Sequence, residues 1–575
     1  MVRRRLLAAS LFVLASACAC GRPMPSPAPA ATRAGASNFP AFVDRYVEAY
    51  LAMHPNFAVS QGRHEFDGQL SDWSPASLQR EVAWLEHQRE EALAFSERAL
   101  SPLQRFQRDY VLSRIEEGLF WLREVRTPFT NPAFYVGALE PHTYVSVPYA
   151  PIEQRLAAFI KYAAQIPSQL AQARANIETP LPKTFIDYAV AGFNGYAAFY
   201  RNDVPRAFAA AKDPQLQQQL QAVLEPAARA MSETAEWVAA AKVATSDSYA
   251  LGTDRFTAML RTAEGVTTPL TELEQIGRAD LARNLAALEA ACKAYLPGGT
   301  VTECVERQAA DKPTEGDVEC ARNQLAELRR YIVDHQIVSI PGNEAIGVAE
   351  APPYMRQNFA YIDIPGPYEK NLPSVYYIAP PDPAWTAAEQ AAYVPGKGDL
   401  LFTSAHEVWP GHFLQFLHSN RLAWRFGQLF VGYAFAEGWA HYAEELMVEE
   451  GLAKDAPELQ VGQLLNALLR NVRFVCAIGL HTQGMSVAQC EQLFKDKAYQ
   501  DPGNARQQAA RGTYDPGYLN YTMGKLMIRK LRERWMAENP GHTRREFHDR
   551  FLSFGGPPIP LLRTQLLKDS SGSLF

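Results

Sequence analysis

Two histidines six residues apart, His406 and His412, with Glu407 and a Pro410-Gly411 step between them, constrain this chain more than any other stretch. Paired imidazoles beside a carboxylate form the donor set of a catalytic zinc ion, and ordinarily the pair sits four apart, on one turn of one helix. Six residues turn an α-helix by about 600°, leaving two rings about 120° apart in azimuth and about 9 Å apart along the axis. A regular helix cannot make the site. Pro410 has no N–H to return to the carbonyl of His406, and Gly411 reaches backbone angles closed to other residues. The sequence therefore predicts a kink or bulge at this step that brings both rings to one ion.

The rest of the expected set follows 25 residues later. Glu437 lies in Ala436-Glu437-Gly438-Trp439-Ala440-His441-Tyr442-Ala443-Glu444, an apolar setting in which a lone carboxylate is expensive to bury. His406, His412 and Glu437 would supply three ligands to one Zn2+ and leave the fourth position open, as in a catalytic His2Glu site. Glu407 is the expected general base, taking a proton from water and passing it to the leaving group. His441 and Glu444 share a helical face with Glu437 and are expected to orient the ligands from behind, with His441 an alternative third ligand. His418 reads as an ordinary helix histidine. With 12 histidines and 62 acidic residues in 575, about 0.03 His-acid-x4-His matches arise by chance, so coincidence is a weak explanation.

Arg3, Arg4 and Arg5 followed by apolar Leu6 to Ala15 form a leader too short to span a bilayer as a mature helix. Ala15-Ser16-Ala17-Cys18 resembles a lipobox, with Cys18 the expected lipidation site and Cys20 its alternative. Residues 1–20 are thus read as a signal peptide and 21–38, rich in Pro and Ala, as a flexible tether. The expectation is an exported, periplasmic or outer-membrane lipoprotein that meets the membrane only through its N-terminal lipid. A net charge of −6 argues against a nucleic-acid surface. Of the cysteines beyond the leader, Cys292, Cys304 and Cys320 are close in sequence and Cys476 and Cys490 form a second group, which fits two disulfides and one spare thiol.

From Phe39 onward the apolar spacing is helical, with stretches near 76–125, 152–177, 204–243, 269–295 and 318–335 and again from 400 to 553. The chain is 47% hydrophobic and 21% charged, a globular balance. An N-terminal helical half over 39–340 and a C-terminal half over 341–575 carrying the metal site are expected, as one continuous unit. Strand signals occur at 374–379, between Pro373 and Pro380, and more weakly at 359–364. A small sheet is expected beside the metal helix, either a structural hairpin or one whose edge strand presents Tyr376 and Tyr377 to an extended substrate.

His406 to Gln415 (HEVWPGHFLQ) and Ala436 to Leu446 (AEGWAHYAEEL) resemble the bacterial DUF885 family of exported proteins and lipoproteins. Arg511-Gly512-Thr513-Tyr514-Asp515-Pro516-Gly517-Tyr518-Leu519-Asn520-Tyr521 is similar to its later Arg-Tyr-x3-Pro-Gly block, and Phe547-His548-Asp549 to its C-terminal Phe-His-Asp. The resemblance implies a mainly α, two-lobed clamshell with a deep cleft, of the neurolysin and angiotensin-converting-enzyme type, and hydrolysis of short peptides. This chain departs at the Arg511 block, where Tyr lies three residues after Arg and Tyr518 replaces the usual Gln. Tyr521 best matches the family's position for an oxyanion donor, with Tyr514 and His548 as alternatives. Arg511 would hold a substrate carboxylate or else an internal salt bridge. Alternatives to a zinc peptidase are an amidase or esterase acting on a small non-peptide substrate and a non-catalytic ligand-binding lipoprotein.

Overall fold

Helix starts in this chain are written in its prolines and hydroxyl residues. Pro75, Pro102, Pro214, Pro457 and Pro502 each open a helix, where a missing N–H costs nothing. Ser101/Gln104, Thr300/Glu303, Thr386/Glu389, Ser486/Gln489 and Thr543/Glu546 close reciprocal capping boxes, each cap contributing about 1 kcal/mol. A computed structural model describes residues 38–575 apart from 246, 353, 354, 357, 358, 384, 569 and 572. The expected leader, Cys18 and all of the tether but Asn38 lie outside the described residues.

The chain is mainly α. The expected stretches appear as Phe39–Met53, Pro75–Ala94, Pro102–Leu119, Ile152–Asn176, Pro214–Ala239, Leu270–Tyr295 and Asp317–Asp334. Lys183–Asn202 is an additional helix whose Gly192 and Gly195 weaken its signal in the sequence. Among the described residues no helix is long and apolar enough to cross a membrane.

Two hydrophobic cores form two lobes, but they do not divide at residue 340. The smaller core is built by Ile152–Asn176, Lys183–Asn202 and Pro214–Ala239, through Phe159, Tyr162, Phe193, Tyr200 and Met231. The larger joins Phe39, Phe42 and Tyr110 from the start of the chain to Leu273, Leu328 and nearly everything after. Leu270–Tyr295 packs along Pro457–Thr482 and so belongs with the metal-site half. Helix periodicity reports that a face is buried, not against which partner, so a boundary at residue 340 does not follow the division between the two cores.

The sheet has three strands, β1 (Ile346–Glu350), β2 (Ala360–Asp363) and β3 (Ser374–Ile378), in the order β1-β3-β2. β3 pairs in parallel with β1, Tyr376 opposite Val348, and antiparallel with β2, Tyr376 opposite Ile362. The expected edge strand is therefore central, with both its ladders occupied. β1 escaped the sequence reading because Gly347 and Ala349 are weak strand formers.

Disulfides join Cys292 to Cys304 and Cys476 to Cys490, and Cys320 is a buried free thiol that burial pushes up to about 11.

Candidate metal centre

The first histidine helix, Lys397–Glu407, ends at Glu407, and the second, His412–Ser419, begins at His412. The expected kink is thus a full break, with a cis Trp409-Pro410 peptide inside it. Val408 N–H still donates to Ser404 and Gly411 N–H to Ala405, both on carbonyl oxygens of the first helix, so the chain turns back on that helix. A Cβ at Gly411 would lie 1.7 Å from the carbonyl oxygen of His406, so only glycine fits there. Trp439, fully buried, donates its indole N–H to the carbonyl of Pro410 at 2.8 Å and fixes the break to the Glu437 helix, Tyr433–Glu449.

The break brings the rings together. Their centroids are 4.8 Å apart and nearly perpendicular. Nε2 of His406 and Nε2 of His412 each lie 3.3 Å from Oε2 of Glu437, and one ligand atom from each of the three residues falls within 4.8 Å of the others. That carboxylate oxygen is buried yet receives no hydrogen bond. The side chains are 6%, 13% and 21% exposed for His406, His412 and Glu437, so the set is sealed at His406 and opens at Glu437.

Glu444 backs the set. Its Oε1 is 2.6 Å from Nδ1 of His406, and the residue has no exposed surface. Nη2 of Arg470 lies 3.2 Å from that same oxygen and from Nδ1 of His406. A guanidinium only donates, so Arg470 bonds the carboxylate and His406 gives its Nδ1 proton to Glu444, leaving Nε2 as a lone pair facing Glu437. Burial and Arg470 pull His406 down, but Glu437 and Glu444 outweigh them and raise it to about 9. Burial pushes Glu437 up, and His412 and His406 override it to hold its carboxyl well below the usual range. A proton drawn to this spot occupies the place a cation would take. Burial pushes Glu407 up, beside the two histidines. His441, fully buried, is not part of the three-residue set: its Nδ1 is 3.6 Å from Glu444, neither ring nitrogen is hydrogen bonded, and burial pulls it down to about 4. The donor set therefore has three members with one open side, which fits a catalytic ion better than a closed four-ligand structural one.

The Tyr521 helix, Asn520–Glu538, crosses the Glu437 helix where Gly438 meets Gly524; a Cβ on Gly438 would fall 2.5 Å from the Cα of Gly524. This close approach stacks Tyr521, 7% exposed, on His406 at 6.2 Å between ring centroids. The other sequence candidates lie elsewhere or are engaged. His548 is fully buried, with Nε2 2.8 Å from the Tyr442 hydroxyl and Nδ1 2.8 Å from the Ile337 carbonyl, so no ring nitrogen is left for an oxyanion. Tyr514 packs on Tyr188 at 4.6 Å. Arg511 pairs with Asp515 at 2.9 Å and donates to the Tyr433 hydroxyl, which is the internal salt bridge of the two expected readings. Tyr376 has no exposed surface because the inward face of β3 holds Ser374, Tyr376 and Ile378, and Tyr377 stacks on Tyr361 at 5.2 Å. Neither tyrosine lies on a free strand edge. His418 is a helix histidine bonded to the Ser339 carbonyl at 2.8 Å.

Sequence reasoning missed Arg470 and Arg473, both buried on Pro457–Thr482. Their signal was available: two arginines three apart inside the apolar run Leu464 to Leu480 face a common partner or strain the helix that holds them.

Two imidazoles and a carboxylate gathered at a helix break, braced by a buried glutamate, define a candidate three-ligand metal centre in a helical frame. The chain belongs to the DUF885 family, described as bacterial protein of unknown function, which matches residues 55–566. No curated protein matches it at a significant level. Among solved structures it is similar to "a putative lipoprotein of unknown function from Shewanella oneidensis", at 21% identity over 92% of this chain and 100% of that one, TM-score 0.75. It is also similar to "the putative lipoprotein from Colwellia psychrerythraea", at 17% identity over 93% and 98%, TM-score 0.76. Both share its fold.

Proposed function

We propose that this chain is a zinc-dependent hydrolase of short peptides, exported and held at a membrane by a lipid on Cys18. The carrying observation is the buried, partnerless Oε2 of Glu437 facing two imidazole nitrogens at 3.3 Å, an acceptor-only cage that suits one divalent cation. His406, His412 and Glu437 would hold the ion, with Glu444 fixing the His406 tautomer. When bound, zinc supplies Lewis-acid polarisation of a carbonyl and lowers the pKa of water.

The chain's own groups perform the proton traffic. Glu407 accepts a proton from the attacking water as the new C–O bond forms, and delivers it to the amide nitrogen as the C–N bond breaks, giving a carboxylate and an amine. Tyr521, set beside His406 by the Gly438–Gly524 contact, is the phenol assigned to the oxyanion that develops between these steps. The two structural relatives described as lipoproteins support the anchored, exported reading together with the Cys18 motif.

The test is digestion of a defined peptide mixture by purified protein with and without a chelator, alongside elemental analysis. Chelator-sensitive cleavage with one zinc per chain supports the proposal; no cleavage by the zinc-loaded protein rejects it. A matched panel of small amides and esters separates peptide hydrolysis from the related activities.

A further inference from the structure

Three arginines surround the ring of Tyr521: the guanidinium carbons of Arg473, Arg470 and Arg511 stand 4.8, 5.8 and 6.0 Å from its centroid. Two of them are neutralised. Arg470 meets Glu444 at 3.2 Å and also donates to Asn466, and Arg511 meets Asp515 at 2.9 Å and donates to Tyr433. Arg473 is different. Only 7% of it is exposed, yet among the described residues no carboxylate lies within ion-pair distance. Its Nε donates to Oε1 of Gln508 at 2.8 Å, and neither Nη donates to the protein. Burial and then the like charge of Arg511 act most strongly against its charge, Tyr521 favours it, and Arg470, of like sign, again opposes it.

Burying a guanidinium among like charges is costly unless an anion arrives to offset it. Dispersion and the quadrupole of Tyr521 recover part of that cost, since the cation lies over the ring. They do not use the two Nη groups, which together form a planar fork that matches a carboxylate. The 7% of Arg473 that stays exposed leaves neither Nη sealed from solvent, so the fork opens on water-accessible space. The Tyr521 ring ties the fork to the metal cage: it lies 4.8 Å from the Arg473 guanidinium carbon and 6.2 Å from the His406 ring, so the two are at most about 11 Å apart, the two distances laid end to end.

Resting on the peptide-hydrolase reading, we propose that Arg473 is the carboxylate receptor of the site, a specificity-determining residue that selects substrates bearing a carboxylate within about three residues of the bond cleaved. An extended residue spans about 3.5 Å, so about three residues cover the distance from Arg473 to the His406 ring. The carboxylate comes either from the C-terminus of the peptide or from an acidic side chain.

The test uses the full mature chain carrying Glu407→Gln, so that peptides survive, and three probes: acetyl-Ala-Ala-Ala as the free acid, the same peptide as its C-terminal amide, and acetyl-Ala-Ala-Glu as its C-terminal amide. Calorimetric titration should show the acid binding about 10- to 100-fold more tightly than the simple amide, the range expected for hydrogen bonds to a charged group. Adding Arg473→Gln should remove the preference while the simple amide binds as before. Arg473→Lys, which keeps the charge and loses the fork, should retain only part of it, and this variant decides the matter if Arg473→Gln does not fold. The glutamyl amide binding like the free acid assigns the carboxylate to a side chain; binding like the simple amide assigns it to the chain terminus. Equal binding of acid and amides by the parent, or an undiminished preference in both Arg473 variants, overturns the proposal. An acid preference in a protein whose Glu407 form cleaves nothing leaves the receptor standing and removes the peptidase reading; cleavage without any carboxylate preference does the reverse.

Discussion

Two charged clusters sit on the same pair of helices and have opposite characters. Tyr433–Glu449 carries Glu437 in one and Glu445 in the other, and Asn520–Glu538 carries Tyr521 beside the first and Lys525 within the second. Around Lys525, which has no exposed surface, every charge has a partner: its ammonium meets Asp280 at 2.8 Å and Glu445 at 3.0 Å. Arg283 bridges the same two acids, Arg529 meets Glu445, and Asn471 donates to Asp280. Lys525 overrides burial and holds Asp280 well below the usual carboxylate range. The candidate metal cage turns three ligand atoms on one another with no Lys or Arg side chain paired to them. A cluster in which every carboxylate is paired fixes helices in place, whereas a set of ligand atoms opening at Glu437 with no fixed cation among them is suited to receive one.

The largest expected effect falls on the cage. Glu407→Gln keeps the three ligands and removes the proton carrier, so turnover should fall by about 10²- to 10⁴-fold with zinc content unchanged; full peptide turnover by that variant breaks the assignment. Next is the paired cluster around Lys525. Lys525→Met leaves Asp280 and Glu445 with Arg283 and Arg529 alone and should cost about 3 kcal/mol of stability, seen as a lower melting temperature with the zinc stoichiometry retained. An unchanged melting temperature would mean that the cluster fixes nothing.

Glu444→Gln tests the border between the two kinds of cluster. It should weaken zinc affinity by about 10- to 100-fold in a competition titration, and equal affinity would make Glu444 a scaffold group like Glu445. A further contrast is acid stability. Burial holds the sealed His548 and His481 down to about 3 and about 4, below the free imidazole value of about 6.5. The unfolded chain takes up these protons first, so the stability contribution is full above about pH 6.5 and is lost as pH falls toward the folded values, at about 1.4 kcal/mol per pH unit for each ring. Denaturation midpoints between pH 7 and 5 should show this slope, and His548→Gln should flatten it; an unchanged slope would exclude His548 as a source.

The site was more legible in the sequence than the architecture around it. The six-residue spacing and Pro410-Gly411 announced a departure from a regular helix, because backbone chemistry is local, and the structure breaks the helix at that step. Glu437 and Glu444 were legible because a carboxylate in an apolar helix calls for a partner. Contacts at long range left no such mark. Periodicity gave no sign that Leu270–Tyr295 packs on Pro457–Thr482, or that β3 is central, since its outer neighbour β1 is poor in strand formers. His548 and Tyr376 drew attention as polar rings, and only three-dimensional packing shows them sealed inside.

The central claim is that His406, His412 and Glu437 grip one divalent ion. Elemental analysis of the purified chain, wild type beside Glu437→Gln and His412→Ala, tests it most directly. The account predicts close to one zinc per chain in the wild type and little or none in either folded variant. A wild-type chain that takes up no divalent metal when zinc is supplied, or variants that hold as much as the wild type, would contradict it.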